Sequence, residues 1–246
     1  MAAAYGWRAK VGKLLPSIIG STSVYEFYKV FPPGVMLLTR NLAVKDVRDQ
    51  SDLDASIALM EVAAKDLKQA GADLLLGAGL PVLLSKGSEG HKNILKLLAD
   101  LSGLPAITTL SSAVEAFQSL EVKRIAIATA YGKPELGEKV ADFLSEVGFE
   151  ISGLSTIETG LPTIEKSKLD FGFAYRYGKK VFKEADRAEV LYFPSGSWPI
   201  AEYVECLERD IGAPVVSSNL ASIWNSLRVL DIHDPIQGHG RLLSTL

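Results

Sequence analysis

The sequence is poor in the two side chains that most often build disulfide frameworks and metal centres. It has one cysteine, Cys206, which excludes an internal disulfide and fits a reducing cytoplasm. Its three histidines, His91, His233 and His239, lack the spacing of metal ligands. We therefore expect no metal site and a cytoplasmic location.

Long apolar runs and a bias towards one charge are also missing. The longest apolar runs have the length of a strand and fall far short of the roughly 20 residues of a spanning helix. The first residues lack the basic start and the long apolar region of a signal peptide. A formal net charge of −3 gives no general attraction to nucleic acid or to an anionic membrane. Neither nucleic-acid binding nor membrane insertion is expected.

Short apolar segments alternate with longer amphipathic ones, and this pattern predicts an α/β fold in which crossover helices join parallel strands. In the segment Asp54–Ala70, Ile57, Met60, Ala64 and Leu67 recur at three- and four-residue spacing, which predicts a helix with one buried face. Strands are predicted at Val11–Leu15, Val35–Thr39, Asp73–Leu76, Ala106–Thr109, Arg124–Thr129, Glu150–Leu154, Glu189–Phe193 and Val215–Ser217.

The same α/β unit occurs twice along the chain. The segment that begins at Ala72 reads like the one that begins at Ala188, so that Gly79 falls opposite Ser195. Residues 1–119 together with 224–246 are predicted to form the first half, and residues 120–223 the second. A duplicated unit brings equivalent loops face to face across a cleft, which suits chemistry that needs one group on each face of a carbon atom.

The predicted strand ends carry small and hydroxyl-bearing residues, as in Gly77-Ala-Gly79 and Pro194-Ser-Gly-Ser197. In open parallel sheets, ligands bind beyond the carboxyl ends of the strands. Small residues there allow backbone N–H groups to approach an anion. The alternative is that these residues only cap the helices that follow. Their recurrence at seven strand ends favours an anion pocket.

A series of segments runs along the chain in a characteristic order, around Arg40, Gly71–Gly79, Gly103–Ala113, Arg124–Tyr131, Gly212–Asn219, Trp224–Arg228 and Gly238–Leu242. In the order and spacing of these segments the chain resembles the Asp/Glu racemase superfamily, and most closely its branch of arylmalonate decarboxylases and maleate cis-trans isomerases. This resemblance implies two flavodoxin-like parallel-sheet halves related by a pseudo-two-fold axis, no cofactor, and a small carboxylate as the substrate. A homo-oligomer stays an open alternative.

The resemblance also implies where the catalytic groups lie. Racemases and isomerases of this group carry a cysteine on both facing loops, whereas arylmalonate decarboxylases keep only the second and have glycine at the first. This chain has Gly79 at the first position and Ser195 at the second. Tyr131 matches the tyrosine that such enzymes offer to the substrate carboxylate, and Gly196 supplies the backbone N–H after the second position.

Further candidates surround these groups. Leu80, Pro81 and Trp198, with Phe193 and Pro199, are expected to form an apolar wall, and Ser197 adds an N–H group. Three more candidates end the first strands, namely Ser17, Arg40 and Asn41. Arg40 is a candidate for pairing with a carboxylate, with a structural ion pair as the alternative.

The source of the proton is open at this stage, because a serine hydroxyl is a far poorer acid than a thiol. The alternatives to Ser195 are water, Tyr131 and Lys133. Cys206 is expected about two helical turns beyond the loop and is interpreted as a packing residue. Glu26 is expected to be an exposed helix residue.

Three hypotheses follow. The first is a cofactor-independent decarboxylase, a C–C lyase that stabilises an enediolate formed from a malonate-type dicarboxylic acid. The second is a maleate-type cis-trans isomerase or an amino-acid racemase, although both thiols of those enzymes are replaced. The third is a non-catalytic protein that binds carboxylates in the same cleft.

Overall fold

A computed structural model describes residues 5–17, 22–46, 49–130, 134–157, 171–198 and 200–246. Strands and helices alternate from the first strand to the last helix, except that two helices lie between the third and the fourth strand. The first four strands are β1 (Ala9–Ser17), β2 (Val35–Val44), β3 (Leu74–Leu76) and β4 (Ala106–Ile107). The helices among and after them are α1 (Thr22–Val30), α2 (Gln50–Gln69), α3 (Leu80–Leu83), α4 (Gly87–Ser102) and α5 (Thr109–Ser119).

The second part of the chain repeats this order, with one helix in place of two between its third and fourth strands. Its strands are β5 (Arg124–Thr129), β6 (Glu150–Thr156), β7 (Val190–Phe193) and β8 (Val215–Ser217). Its helices are α6 (Pro134–Glu146), α7 (Phe171–Glu184), α8 (Val204–Ile211) and α9 (Ser218–Val229), and a 3₁₀ turn follows at Leu243–Thr245.

The eight strands of the described residues form two parallel sheets of four with the same internal order. The first sheet runs β2-β1-β3-β4 and the second β6-β5-β7-β8. Each of the eight predicted strands overlaps an observed one, and the predicted fold class is confirmed. The structure extends β1 and β2 beyond the predicted ends, and it shortens β4 because Thr108 caps α5.

The inner strands are buried on both faces, as expected for sheets covered by crossover helices, whereas the edge strands β2 and β6 are partly exposed. All residues of β3 and β7 are buried. On the first sheet α2 packs so closely that a Cβ atom at Gly12 would lie 3.2 Å from the Cβ atom of Leu67. In the described part of the chain, no helix is long and apolar enough to cross a membrane.

Helices α5 and α9, each of which follows the last strand of its sheet, pack against each other. The side-chain amide of Asn225 on α9 donates to the hydroxyl of Ser112 on α5 (3.3 Å). Beyond α9 the chain returns towards β1, where Asp234 forms an ion pair with Arg8. The division at residues 119 and 224 stays a prediction about where the halves separate.

Candidate active site

Gly79 and Ser195 lie at equivalent places in the two sheets. Leu76 of β3 and Tyr192 of β7 are the last residues of their strands that pair with the central strand. Gly79 follows three residues after the first and Ser195 three residues after the second. The pairing of the strands therefore supports the alignment of the two positions in the sequence repeat.

The residue before each of these positions is held by a hydroxyl group in the same way. Thr109 at the start of α5 donates to the carbonyl of Ala78 (3.4 Å). Ser218 at the start of α9 donates to the carbonyl of Pro194. The loop after each third strand is thus tied to the helix that follows the fourth strand, which fixes both loops at the carboxyl ends of their sheets.

Residues 195–198 form a tight turn, which we call the Ser195 turn. The N–H of Trp198 donates to the carbonyl of Ser195 (3.2 Å). The N–H groups of Gly196 and Ser197 donate to no acceptor among the residues that the structure describes. Consecutive unpaired N–H groups of this kind form an anion-binding concavity. The turn therefore offers two backbone donors beside the Ser195 side chain.

The Ser195 side chain is almost fully buried, at 2% exposure. Its hydroxyl oxygen lies 3.4 Å from that of Ser197. The helix-capping alternative for Ser195 is not supported, because α8 begins at Val204 and is preceded by Tyr203 as its N-cap. No helix begins at the turn itself.

The loop at Gly79 offers only backbone and apolar groups. Gly79 is the N-cap of α3, and Leu80 and Pro81 are buried in its first turn. A Cβ atom at position 79 would lie 3.0 Å from Cγ of Pro16. A side chain at this position therefore needs the Pro16 ring to move by a few tenths of an ångström.

The three candidates from the first strands have different surroundings. Ser17 and Asn41 are joined, because the Asn41 side-chain amide donates to the Ser17 carbonyl (2.9 Å). Arg40 forms an ion pair with Asp66 of α2 at 2.8 Å, and its side chain is 47% exposed. This pairing favours the structural alternative for Arg40, and its contact with a substrate stays a prediction.

Trp198 lies in an aromatic cluster of the second half, at 1% exposure. Its ring contacts Phe173, Tyr177 and Phe193 at centroid distances of 6.1, 5.6 and 5.5 Å. Its indole N–H has no acceptor among the described residues. The side chain thus forms a rigid support for the turn. The remaining candidates Tyr131, Lys133 and Pro199 lie outside the described residues, and their roles stay predictions.

The expectation that Glu26 is exposed is wrong. Glu26 is 3% exposed, and its carboxylate accepts hydrogen bonds from the backbone N–H groups of Ile200 and Ala201 (2.9 Å each). It also accepts one from the side-chain amide of Asn219 (2.6 Å). These partners are 174 residues or more away in the chain, so the local sequence around Glu26 carries no signal of its burial.

A second buried ionisable group lies next to Glu26. Lys13 of β1 is 5% exposed, and its ammonium lies 3.9 Å from the centroid of the Phe27 ring. Burial lowers the pKa of Lys13 to about 7, against the opposing charge of Glu26. Burial raises the pKa of Glu26, against the opposing effect of its N–H donors and of Lys13. The two groups each favour the charged form of the other.

The described side chains do not suggest a metal site or a thiol centre. Among the described residues, no three His, Cys, Asp or Glu side chains come together as ligands. Cys206 lies on α8, and its thiol donates to the carbonyl of Tyr203 at 3.4 Å. The expected position about two helical turns beyond the loop is wrong, because α8 begins only at Val204. Cys206 is partly buried, and its interpretation as a packing residue stays a prediction.

Comparison with known proteins gives one family. A family model described as arylmalonate decarboxylase matches residues 11–243. The arylmalonate decarboxylase of Bordetella bronchiseptica is 25% identical over 198 residues, which are 80% of this chain and 81% of that protein. A maleate isomerase of Pseudomonas putida is 30% identical over 213 residues, which are 82% of each chain.

Solved structures agree in fold. A liganded variant of arylmalonate decarboxylase, with one glycine replaced by cysteine and one cysteine by serine, superposes with a TM-score of 0.87 at 22% identity. It covers 95% of this chain and 98% of its own. A cysteine-to-alanine variant of maleate isomerase from a Pseudomonas putida strain, solved with maleate, gives 0.86 at 21% identity and covers 96% and 98%.

Both kinds of relative are enzymes, one named for a decarboxylation and the other for an isomerisation. With a family model that extends over nearly the whole length, the chain belongs to the arylmalonate decarboxylase family.

Proposed function

We propose that this protein is a cofactor-independent decarboxylase of a small malonate-type dicarboxylic acid. One observation carries the proposal: of the two equivalent positions, only Ser195 has a side chain that can move a proton, and Gly79 has none. Proton delivery to one face of a carbon atom is what decarboxylation requires. Racemisation by two acid–base groups requires a group on each face.

The chemistry needs two environments for the two carboxylates. One carboxylate accepts hydrogen bonds from the N–H groups of Gly196 and Ser197, which stabilise negative charge as it develops. The other lies against the apolar loop at Leu80 and Pro81, where its charge is poorly solvated. The bond from the α-carbon to this second carboxylate breaks, CO2 leaves with neither added electrons nor protons, and the electron pair remains as an enediolate.

The α-carbon of the enediolate then takes one proton, and a monocarboxylate is released. We assign protonation to the face at Ser195, with the hydroxyl of Ser197 as its neighbour (3.4 Å). Tyr131 is the proposed additional donor to the retained carboxylate, by the resemblance described above. Because a serine is a poorer acid than a thiol, the proton transfer step is expected to limit the rate.

The identity to maleate isomerase supports one alternative, the cis-trans isomerisation of a maleate-type acid. The resemblance implies that such isomerases use thiols on both loops, and this chain has none at either position. A proton NMR time course in D2O with aryl- and alkylmalonates, maleate, aspartate and glutamate separates the reactions. A monocarboxylate with α-deuterium supports the decarboxylase, and conversion of maleate to its trans isomer, or exchange at the α-carbon of an amino acid, contradicts it.

Substitution of Ser195 tests the assigned face of protonation. Ser195→Cys places a thiol with a pKa near 8.5 at the same position, so we expect the decarboxylation rate to rise by about 10-fold or more. Ser195→Ala is expected to lower it. Cys206→Ala is the matched control and is expected to leave the rate within about twofold. Unchanged rates for both Ser195 variants would place the proton donor elsewhere.

A further inference from the structure

Glu26 reaches from α1 to the loop that follows the Ser195 turn. One carboxylate oxygen accepts from the N–H groups of Ile200 and Ala201, at 2.9 Å each. The carbonyl of Ala201 is in turn 3.1 Å from Nδ1 of His239 in the C-terminal tail. The backbone of Ala201 is therefore held at its N–H by Glu26 and at its carbonyl by His239. Of these two residues, Glu26 is the one that also bonds to Ile200, which is closer to the Ser195 turn in the sequence.

The second carboxylate oxygen of Glu26 acts on the turn itself through Asn219. The Asn219 side-chain amide donates to Glu26 (2.6 Å) and to the carbonyl of Gly196 (2.9 Å). Its oxygen accepts from the hydroxyl of Ser23 (3.0 Å). The amide nitrogen thus donates twice and the amide oxygen accepts once, so the orientation of Asn219 depends on an acceptor at Glu26.

The Gly196 carbonyl fixes one of the two N–H donors of the turn. In a planar trans peptide group the C=O and N–H bonds point in opposite directions. The peptide that carries the Gly196 carbonyl also carries the N–H of Ser197. When Asn219 holds the carbonyl, the Ser197 N–H is directed away from Asn219, and it donates to no backbone acceptor among the described residues.

The charge of Glu26 suits this role. Its three described hydrogen-bond partners are all N–H donors, so both oxygens are used as acceptors, and a proton on either would lack a partner there. Burial raises the pKa of Glu26, and the N–H donors and Lys13 oppose this effect by favouring the carboxylate.

We propose that Glu26 is a positioning residue for the reaction, which acts through Asn219 to hold the Ser197 N–H in the direction that binds an anion. The inference rests on the proposed function for its catalytic consequence. If Glu26 served only to hold the two halves together, its hydrogen bonds with the N–H groups of Ile200 and Ala201 would be enough. The branch through Asn219 reaches the Ser195 turn, and this is what distinguishes positioning from simple cohesion.

Glu26→Gln and Asn219→Ala test the branch separately and together. A glutamine keeps an oxygen for Ile200 and Ala201 but places an NH2 group against the NH2 group of Asn219, which must turn and release Gly196. We expect each variant to lower kcat for phenylmalonate by about 10- to 100-fold, because misdirected donors stabilise the transition state poorly. KM is expected to change by less than about threefold.

The double variant is expected to be no worse than the poorer single one, since both changes break the same connection. Ser23→Ala is a milder variant of the same branch, and it is used if Glu26→Gln fails to fold. Glu208→Gln is the matched control, because Glu208 is also buried, at 4% exposure, and accepts the N–H groups of Val215 and Arg241. It is expected to lower stability and leave kcat unchanged.

Amide hydrogen exchange gives a readout that does not depend on turnover. In Glu26→Gln, a peptide that covers residues 195–203 is expected to exchange at least about 10-fold faster, while one that covers 74–83 is unchanged. Faster exchange with no turnover of any acid by the unsubstituted protein would contradict the decarboxylase and support the positioning. Unchanged exchange, or additive losses of kcat in the double variant, would overturn the positioning role.

Discussion

The Ser195 turn has little free space at its second residue. A Cβ atom at Gly196 would lie 3.0 Å from the side-chain oxygen of Asn219, the residue whose amide holds the Gly196 carbonyl. The backbone of Gly196 does not have a positive φ, so an alanine is not excluded by its own conformation. The alanine is unfavourable because it displaces the Asn219 side chain. We expect this displacement to change the direction of the Ser197 N–H group.

We therefore expect Gly196→Ala to lower kcat/KM for decarboxylation by about 10-fold, with a small loss of thermal stability. Gly153→Ala is the control, because its Cβ atom would lie 2.8 Å from that of Ala185, away from the turn. That substitution is expected to lower the melting temperature and leave kcat/KM unchanged. Steady-state kinetics and thermal unfolding measure both effects, and equal kinetics for the two variants would show that the contact with Asn219 is unimportant.

Single residues differ in how far the sequence predicts them. Gly79 and Ser195 follow from the repeat, because a duplicated unit preserves the positions of its loops. Glu26 and Asn219 do not follow from it, because their hydrogen bonds join segments that are 193 residues apart. The ion pair between Arg40 and Asp66 is equally hard to predict. It joins a strand to a helix, and the packing of these two elements cannot be deduced from the local sequence.

At the scale of elements, apolar patterning predicts all eight strands, because buried parallel strands are near-continuous apolar runs. The start of the last crossover helix is harder to predict. Residues 200–203 precede α8 without joining it, and the N–H groups of Ile200 and Ala201 bond to Glu26. No local pattern in the sequence marks this delay.

The position of the C-terminal tail against α8 depends on one glycine, Gly240. Gly240 has φ of 89°, and a Cβ atom there would overlap Val204 of α8. The next residue, Arg241, donates its N–H to the buried carboxylate of Glu208 (2.9 Å). Close approach of the tail to α8 therefore needs both a left-handed backbone and no side chain at this position.

Gly240→Ala is expected to lower the free energy of unfolding by about 1–3 kcal/mol more than Gly238→Ala does. Gly238 also has a positive φ, 85°, but its Cβ atom would meet nothing within 4 Å. Both variants therefore carry the cost of a left-handed backbone, about 1–2 kcal/mol, and only one carries the overlap. Urea unfolding measures the difference, and equal losses would mean that the tail moves away from α8 at no cost.

At the scale of the whole molecule, the two repeats share more than the contact between α5 and α9. His91 on α4 packs edge-to-face against Phe143 on α6, with a centroid distance of 5.2 Å. Its Nε2 atom is 2.7 Å from the hydroxyl of Thr108, the N-cap of α5. Burial, with a smaller effect from Lys92, lowers the pKa of His91 to about 4. This contact between the repeats is thus built around a neutral imidazole.

The stability of the molecule is therefore expected to fall in acid through His91. The unfolded chain binds a proton at His91 below pH of about 6.5, and the folded protein binds it only near pH 4. Unfolding takes up a proton within this window, so stability is fully present above it and is lost as the pH falls.

His91→Gln keeps a polar contact with Thr108 but does not titrate. Between pH 7 and pH 4, the unfolding free energy of the unsubstituted protein is expected to fall relative to the variant by up to about 3 kcal/mol. Urea unfolding of both proteins across this range measures the difference, and parallel pH profiles would show that folding does not lower the pKa of His91.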